Sequence, residues 1–367
     1  MTTTTKLEYT ETELLASHDY AEALVAAGRT CHGGFLTDGS YQPPRTLHRE
    51  PAIEAWQQSH TNRFGTQLLD LPLDTWPRNF PNVAQAKYLL SRGVTEPIIS
   101  TLTRIGTVEG FGGFLRFTPI PDWDRVVAED LAGTATAHLD RGLIEAHARD
   151  EAGFGDQAGH NQMWFAIRDI AFDNPVTEDQ TKLMLESMGI VDPGGGMPDF
   201  EKLREAAMAT RLTPADVDFT LEAFLQQLTR LLLIEISAFH VFAWAEEVLA
   251  DPEVAAGDGE AARLVSYIRA DETPHVGYIK TVLSELRDRT IVGDEYMYLG
   301  REIVDSIWDA ALDESLNVRW PEGVDLTMRE IEHAVEGRPD RDALLEGFHA
   351  LGSIRPDRDG HWIGVHT

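Results

Sequence analysis

The sequence of 367 residues predicts an all-α fold, and two observations carry this prediction. From about residue 84 to residue 289, apolar residues recur at three- and four-residue spacing, which is the period of an amphipathic helix. Alternating apolar and polar residues, the pattern of a half-buried strand, are scarce. With a hydrophobic fraction of 43%, the chain can bury a sizeable core in one large domain or two smaller ones.

The chain divides into three predicted parts. Residues 1–84 are expected to form an arm that packs on the core, with a short helical pattern at residues 11–27. Residues 85–290 are expected to form a helical bundle, and residues 291–367 a helical extension. Breaks within the bundle are predicted at clusters of Pro, Gly and Asp, at residues 118–121, 173–175, 192–196 and 256–259. Thr213 followed by Pro214 is typical of a helix N-terminus.

Composition and charge exclude several classes of partner. The 61 acidic residues outnumber the 31 basic ones, and the net charge of −30 disfavours binding to nucleic acid or to an anionic membrane. Cys31 is the single cysteine, so no internal disulfide can form, which fits a reducing compartment. The strongest apolar run, residues 231–244, is interrupted by Glu235 and His240 and is too short for a bilayer. No signal peptide is evident, and the sequence predicts a cytoplasmic protein.

A short internal repeat predicts how the helices are organised. Residues 103–109 (TRIGTVE) are similar to residues 229–235 (TRLLLIE). About 40 residues after each copy comes a second similar pair, residues 149–151 (RDE) and 269–272 (RADE). Two copies of a helix hairpin would form a four-helix bundle.

Four glutamates occupy positions that should face this core: Glu109, Glu151, Glu235 and Glu272. Each has mostly apolar residues at i±3, i±4 and i±7, which share its helical face. An unpaired buried carboxylate costs several kcal/mol or takes up a proton. A pair of cations would compensate for all four charges, because each metal ion attracts several oxygens at once.

One histidine strengthens the prediction of a metal site. Glu272 and His275 form a Glu-x-x-His motif on a single helical face, where both side chains can reach the same ion. A mixture of imidazole nitrogen and carboxylate oxygen suits iron or manganese. The motif comes 37 residues after another glutamate of an apolar stripe, Glu235, which makes it more specific than the motif alone.

This set of residues resembles the ferritin-like di-iron or di-manganese carboxylate proteins. That superfamily includes the small subunits of ribonucleotide reductase, soluble acyl-carrier-protein desaturases and N-oxygenases of arylamines. The resemblance covers roughly residues 95–285 and implies a ferritin-like four-helix bundle with additional N- and C-terminal helices. It implies that Glu109 and Glu235 are the two single glutamates, and that Glu272 and His275 are the later Glu-x-x-His.

The earlier Glu-x-x-His of that superfamily is not present, because Glu151 is followed at i+3 by Phe154. His147 lies four residues before Glu151 on the same helical face, and this pair is the favoured substitute. His160 and Glu145 remain alternatives, the latter because it comes 36 residues after Glu109.

Three further features bear on the local geometry. Gly153, Gly155 and Gly159 each weaken a helix by about 1 kcal/mol relative to Ala, which predicts a bend or a π-bulge. Pro274, inside the Glu-x-x-His motif, predicts a kink. His240 is interpreted as a hydrogen-bonded core histidine rather than a ligand.

The sequence therefore predicts a non-haem di-metal oxidase or oxygenase that uses O₂ on a small organic substrate. Glu109, Glu235 and Glu272 are the predicted catalytic residues, and the metal ligands are Glu109, His147, Glu151, Glu235, Glu272 and His275. Two iron ions are expected, with manganese as the other candidate. A radical generator similar to ribonucleotide reductase, a Mn/Fe ligand-binding oxidase and a non-catalytic metal-binding or partner-binding bundle are the alternatives. The electron donor and the oligomeric state stay open, a homodimer included.

Overall fold

The computed structural model describes residues 5–26, 28–72, 75–172 and 208–352. Over these residues the chain is mostly helical, which confirms the predicted class at that level. The predicted breaks at residues 173–175 and 192–196 lie outside the described residues. The predicted boundaries near residues 84 and 290 stay predictions.

The N-terminal part departs from an all-α fold. It contains helix α1 (Glu11–Leu14), a three-stranded antiparallel sheet of β1 (Glu22–Ala26), β2 (Arg29–Phe35) and β3 (Tyr41–Gln42), and helix α2 (Arg49–Phe64). The prediction of a helix over residues 11–27 is wrong for residues 15–26, and Ala27 lies outside the described residues. In β1, Leu24 and Ala26 are buried and Val25 is exposed, so this stretch has the two-residue period of a strand.

The central helices follow in chain order. They are α3 (Val83–Ser91), α4 (Glu96–Gly110), α5 (Trp123–Val126), α6 (Ile144–Ala152) and α7 (His160–Ala171). A 3₁₀ turn at Phe111–Phe117 continues α4. The α4 helix packs mainly on α7, and the 3₁₀ turn packs on α6.

The second half contains the longest described helix. Its elements are α8 (Phe219–Leu249), α9 (Glu260–Asp271), α10 (Thr273–Arg287), the hairpin of β4 (Thr290–Val292) and β5 (Met297–Leu299), α11 (Gly300–Glu314), α12 (Trp320–Ala334) and α13 (Arg341–Leu351). A π-helical turn at Ser315–Arg319 joins α11 to α12. The α8 helix packs on α9, α10 and α11.

The start of α8 corrects one prediction. Asp218 is the N-cap, and its side chain accepts hydrogen bonds from the amides of Thr220 and Leu221. Thr213 and Pro214 lie before the helix instead. The Thr213 hydroxyl does not cap the helix but donates to the buried carboxylate of Glu222.

Among the described residues, α8 alone is long and apolar enough to cross a membrane by length and composition. It is longer than the apolar run at residues 231–244 that the sequence analysis considered. However, 56% of its most apolar window is buried inside the protein. Core helices pass the same test of length and composition, and α8 is interpreted as one of them.

Two apolar clusters meet in the middle of α8. One is formed by α2, the first half of α8, α10 and α11, and the other by α3, α4, α7, α9 and the second half of α8. Ile236 belongs to the first cluster and Ala238 to the second, so Glu235 lies at the boundary. The junction of α9 and α10 lies at the same boundary. Polar side chains can therefore converge there without interrupting either core.

Candidate metal centre

Two buried clusters of His and Glu have the composition and spacing to hold metal ions, and they share Glu151. The first contains His147, Glu151, Glu235 and His275, and the second contains Glu109, Glu151, His160 and Glu272. Within each cluster the potential ligand atoms lie within 4.8 Å of one another. The seven side chains come from α4, α6, α7, α8 and the α9–α10 junction.

The first cluster is organised around two stacked imidazoles. The rings of His147 and His275 have centroids 3.6 Å apart. The Nε2 atom of His147 lies 3.2 Å from Oε1 of Glu235 and 3.5 Å from Oε1 of Glu151. The Nδ1 atom of His275 lies 3.4 Å from that same Glu151 oxygen. Both rings therefore direct a nitrogen toward the space between Glu151 and Glu235.

The second cluster surrounds Nδ1 of His160. This atom lies 3.4 Å from Oε2 of Glu109, 3.4 Å from Oε1 of Glu151 and 3.0 Å from Oε1 of Glu272. The other oxygen of Glu272 lies 2.6 Å from Nδ1 of His275. Glu272 therefore connects the two clusters, as Glu151 does.

The loop between α6 and α7 explains how His160 reaches Glu151 across nine residues. The α6 helix ends at Ala152, and Gly153 has a φ of +82°, which favours glycine. A Cβ atom at Gly159 would lie 2.3 Å from the backbone oxygen of Glu151, so only glycine allows the loop to return this closely. The predicted distortion is therefore a tight loop between two helices.

Phe154 lies in this loop and is half exposed, with the Arg149 guanidinium 3.7 Å from its ring centroid. It is outside the helix, so the absence of histidine at this position removes nothing from the site. His160, at the start of α7, supplies an imidazole instead.

A second helix break positions Glu272 and His275. The α9 helix ends at Asp271 and α10 begins at Thr273, with Glu272 at the junction. Pro274 lies in the first turn of α10, where its missing N–H costs no intrahelical hydrogen bond. The predicted kink is thus a change from one helix to the next.

Gly112 lets the 3₁₀ turn after α4 lie directly against the shared glutamate. A Cβ atom at this position would lie 2.2 Å from Cγ of Glu151. A Cβ atom at the neighbouring Gly113 would lie 2.9 Å from Cβ of Ala152. The glycines that follow Glu109 in the sequence therefore bring the backbone of this turn onto α6.

The second nitrogen of each histidine has a partner of its own. Nδ1 of His147 lies 3.0 Å from the hydroxyl of the buried Tyr278. Nε2 of His160 lies 3.3 Å from Asp271, and Nε2 of His275 lies 2.9 Å from Asp150. Such contacts orient a ligating imidazole and select the tautomer that exposes the other nitrogen.

Residues from the N-terminal part complete this outer layer. Arg45 and Arg49 are both buried and both donate hydrogen bonds to Asp150. Tyr41 donates to Asp271 at 2.8 Å. Burial acts to raise the pKa of Asp150, but the charges of Arg45 and Arg49 outweigh it and hold this pKa well below its usual range. Asp150 is therefore an anion that can accept the Nε2–H of His275.

The ligand candidates affect one another's protonation. Burial, followed by the negative charge of Glu151, raises the pKa of Glu109 and of Glu272 well above the usual range of a carboxyl group. Burial also acts to raise the pKa of Glu151, but the charge of His160 is among the effects that hold it well below its usual range. Burial and the charge of His147 lower the pKa of His275 to about 4. Protons and cations would therefore compete for these side chains.

The donor set has a spacing that fits metal ions as well as ion pairs. Nε2 of His147, Nδ1 of His160 and Oε1 of Glu272 are buried and make no hydrogen bond within the described residues. Two donors that each lie about 2.1 Å from one ion, about 90° apart, are about 3.0 Å from each other. The distances of 3.0 to 3.5 Å from His160 and His147 to neighbouring carboxylates are close to that value.

The structure brings together all six side chains that the sequence analysis selected as ligands, and it adds His160. His160 and His147 were alternatives at the sequence level, whereas both lie in the centre. Glu145 is outside it and pairs with Arg116 and Arg149. His240 is half-buried and lines a pocket on another side of α8.

Sequence reasoning missed the groups behind the ligands. Asp150 and Asp271 each precede a predicted ligand inside the internal repeat, so the repeat was the signal that could have identified them. No comparable signal marks Arg45, Arg49 or Tyr278, which become neighbours of the site only through the tertiary fold.

Comparison of the chain with protein-family models, curated proteins and solved structures finds no match.

Proposed function

We propose that this protein is a non-haem di-iron oxidase or oxygenase that uses O₂ on a small organic substrate. The observation that carries the proposal is the pair of buried clusters sharing Glu151, with four carboxylates and three imidazoles between them. In this proposal α4, α6–α7, α8 and α9–α10 form a ferritin-like four-helix core. When bound, two iron ions would supply the binding and reduction of O₂.

The chain's own residues would hold and orient these ions. Glu151 belongs to both clusters, and with it His147, Glu235 and His275 would hold one ion, while Glu109, His160 and Glu272 would hold the other. Four ionised carboxylates carry −4, which two divalent ions would neutralise, whereas without the ions protons on Glu109, Glu272 and His160 reduce this charge. The apolar clusters on both sides keep bulk water from the site.

Outer residues would keep the ligands in place while charge changes at the centre. Asp150 holds the Nε2 proton of His275, and its two arginine partners prevent it from taking that proton away. Asp271 does the same for His160 and is itself held by the Tyr41 hydroxyl. Each imidazole then presents an unprotonated nitrogen to the metal position.

Metal analysis with a matched pair of α6 variants tests the metal content. We expect about two equivalents of iron per chain after loading with Fe(II) without O₂, and a loss of at least half of it in Glu151→Ala. Glu145→Ala, on the same helix but paired with surface arginines, should keep the wild-type content. Less than about half an equivalent in the wild type, unchanged in Glu151→Ala, would refute the proposal.

Oxygen consumption tests the activity separately. The Fe(II)-loaded protein with an excess reductant should consume O₂ faster than Glu151→Ala under the same conditions. A loaded protein that consumes no O₂ above background would instead be the non-catalytic metal-binding bundle.

One observation favours a second candidate function, the generation of a tyrosyl radical. Tyr278 is fully buried and Tyr41 is half-buried, and each hydroxyl contacts a group at the centre, Asp271 for Tyr41 and His147 for Tyr278. With O₂ as oxidant, the phenol of Tyr41 would lose one electron and give its proton to Asp271. A radical signal in electron paramagnetic resonance after exposure to O₂, absent in Tyr41→Phe or Tyr278→Phe, would favour this function.

A further inference from the structure

The 3₁₀ turn after α4 presents a row of aromatic side chains to solvent. Phe111, Phe114 and Phe117 follow one another at three-residue spacing in residues 111–117 (FGGFLRF). A 3₁₀ helix has three residues per turn, so side chains at i and i+3 lie above one another. The ring centroids are 6.4 and 6.5 Å apart along the turn. The three rings therefore form a single row, called the Phe row below.

The other two columns of this turn face the protein. Gly112 and Leu115 form one column, in which Gly112 lies against the side chain of Glu151 and Leu115 is buried. Gly113 and Arg116 form the other column, and both contact α6. Because packing on α6 occupies two of the three columns, the Phe row is the face that points to solvent.

The Phe row exposes more apolar surface than scattered surface residues do. Its three phenylalanines are 50%, 57% and 73% exposed in chain order. With about 200 Å² for a whole Phe side chain, the row presents about 350 Å² of contiguous apolar surface. The largest apolar patch of a soluble monomer is typically about 300–600 Å² and is often functional. The size of the Phe row therefore indicates an interaction surface.

The surroundings of the Phe row are nearly neutral, although the chain carries a net charge of −30. Residues 108–121 contain one acidic residue, Glu109, and one basic residue, Arg116. Arg116 pairs with Glu145, which also pairs with Arg149. Two copies of an acidic chain repel each other, and this repulsion is weakest where the facing surfaces are neutral. The Phe row is therefore a place where a second copy can approach.

We propose that the Phe row is the interface at which two copies of this chain form a symmetric dimer. In such a dimer both copies use the same surface, and a two-fold axis relates them. The two rows would run antiparallel, with Phe114 of each copy at the axis and Phe111 facing the partner's Phe117. The proposal does not depend on whether the buried clusters hold ions, because no ligand candidate lies in the row.

The area of the Phe row suits the core of a dimer interface. Two rows facing each other would bury about 700 Å² of aromatic surface, close to half of a standard interface of about 1,600 Å². The centre of an interface is enriched in aromatic residues and depleted of charge, whereas its rim is polar. Arg116, Glu145 and Arg149 supply a polar rim on the α6 side.

Sedimentation velocity of the wild type and two variants tests the interface. We expect the wild type to be dimeric at about 10 µM, and Phe114→Asp to raise the dissociation constant at least about 100-fold, because two carboxylates would meet at the axis. Met297→Asp is the control, since Met297 is an apolar residue of β5 that is 70% exposed and lies outside the row. Its dissociation constant should equal that of the wild type. A monomeric wild type, or a Phe114→Asp variant that dimerises like the wild type, would overturn the proposal.

A second variant tests the two-fold symmetry. At the axis Phe114 meets its own copy, so Phe114→Asp and Phe114→Lys should each be monomeric alone and should form a heterodimer when mixed. We expect the dissociation constant of the mixture to be at least about tenfold lower than that of either variant alone. A mixture that associates no better than its components would overturn the antiparallel arrangement. Circular dichroism checks that both variants are folded.

Two further measurements identify another occupant if the wild type is monomeric. Flotation of the wild type, but not of Phe114→Asp, with phosphatidylcholine vesicles would assign the Phe row to a lipid surface. A Tm of Phe114→Asp below that of the wild type would show that other residues of the same chain cover the row. Either result would overturn the dimer.

Discussion

The two aspartates behind the candidate metal centre are related by the internal repeat. Asp150 precedes Glu151 and contacts His275, and Asp271 precedes Glu272 and contacts His160. Each copy of the repeat thus supplies a candidate ligand and, one residue earlier, an aspartate. This aspartate orients the histidine that follows the other copy. This exchange explains why an aspartate stands before the glutamate in both copies, RDE and RADE.

Removing the hydroxyl of Tyr278 tests the importance of such outer contacts. Tyr278→Phe deletes the group 3.0 Å from Nδ1 of His147 and leaves the ring in place. We expect metal affinity to fall by about 10- to 100-fold while the fold is retained, because His147 is no longer oriented. Competition with a chromophoric chelator measures the affinity, and circular dichroism checks the fold. An unchanged affinity would mean that packing alone orients His147.

At the scale of elements, the site is built at places where helices stop. The α6 helix ends one residue after Glu151, α7 begins at His160, and Glu272 separates α9 from α10. In a continuous helix only residues three, four or seven positions apart share a face. Glu151 could then not meet a histidine nine residues away. Glycine and proline at these breaks were visible in the sequence, but the direction of each new helix was not.

Gly112 offers a test of the close approach of the 3₁₀ turn to α6. In Gly112→Ala the new methyl group would collide with Glu151, so either the turn or the ligand must move. We expect a loss of about 1–3 kcal/mol in the free energy of unfolding, together with weaker metal binding. Gly110→Ala is the control, because its Cβ atom would lie 3.4 Å from the flexible end of Asn161. Equal behaviour of the two variants in urea unfolding and metal titration would contradict this expectation.

The packing of the N-terminal segment around Tyr9 against His138 should depend on pH. The amide of Tyr9 donates to Nε2 of His138 at 3.0 Å, and Nδ1 donates to the carbonyl of Thr134, so this ring is neutral. Burial is the main effect that lowers the pKa of His138, although the hydrogen bond to Thr134 and the charge of Glu8 act to raise it.

Because the pKa in the attached state is below the unfolded value of about 6.5, the detached state binds a proton first. Attachment is therefore complete above pH 6.5 and weakens as the pH falls from there toward the lowered pKa, by at most about 1.4 kcal/mol per pH unit. We expect the hydrogen-exchange protection factor of the Tyr9 amide to decrease between about pH 7.5 and pH 5.5. His138→Gln should remove this dependence, and a wild-type protection factor that does not change with pH would contradict it.

At the scale of the whole molecule, metal binding should contribute to stability. Four carboxylates gathered at the boundary of two apolar clusters repel one another, and bound cations remove this repulsion only in the folded state. At a free metal concentration about 100 times Kd, this contributes about 2.7 kcal/mol.

Chelation should therefore lower the Tm by several degrees, and Fe(II) or Mn(II) added without O₂ should restore it. The Glu151→Ala variant is the control, because its Tm should respond little to either treatment. A wild-type Tm that is the same before and after metal removal would show that the clusters hold no ion in solution.

The sequence by itself determined the helical class and selected the side chains that meet at the centre. Both follow from local periodicity, since a glutamate in the middle of an apolar helical stripe must face the interior. Only the tertiary structure decided that His147 and His160 both lie in the clusters, that Glu145 does not, and that β1, β2 and β3 form a sheet. It also brought Arg45, Arg49 and Tyr41 behind the ligands. These outcomes depend on how the chain turns after each helix and on contacts between distant segments, which one-dimensional spacing does not specify.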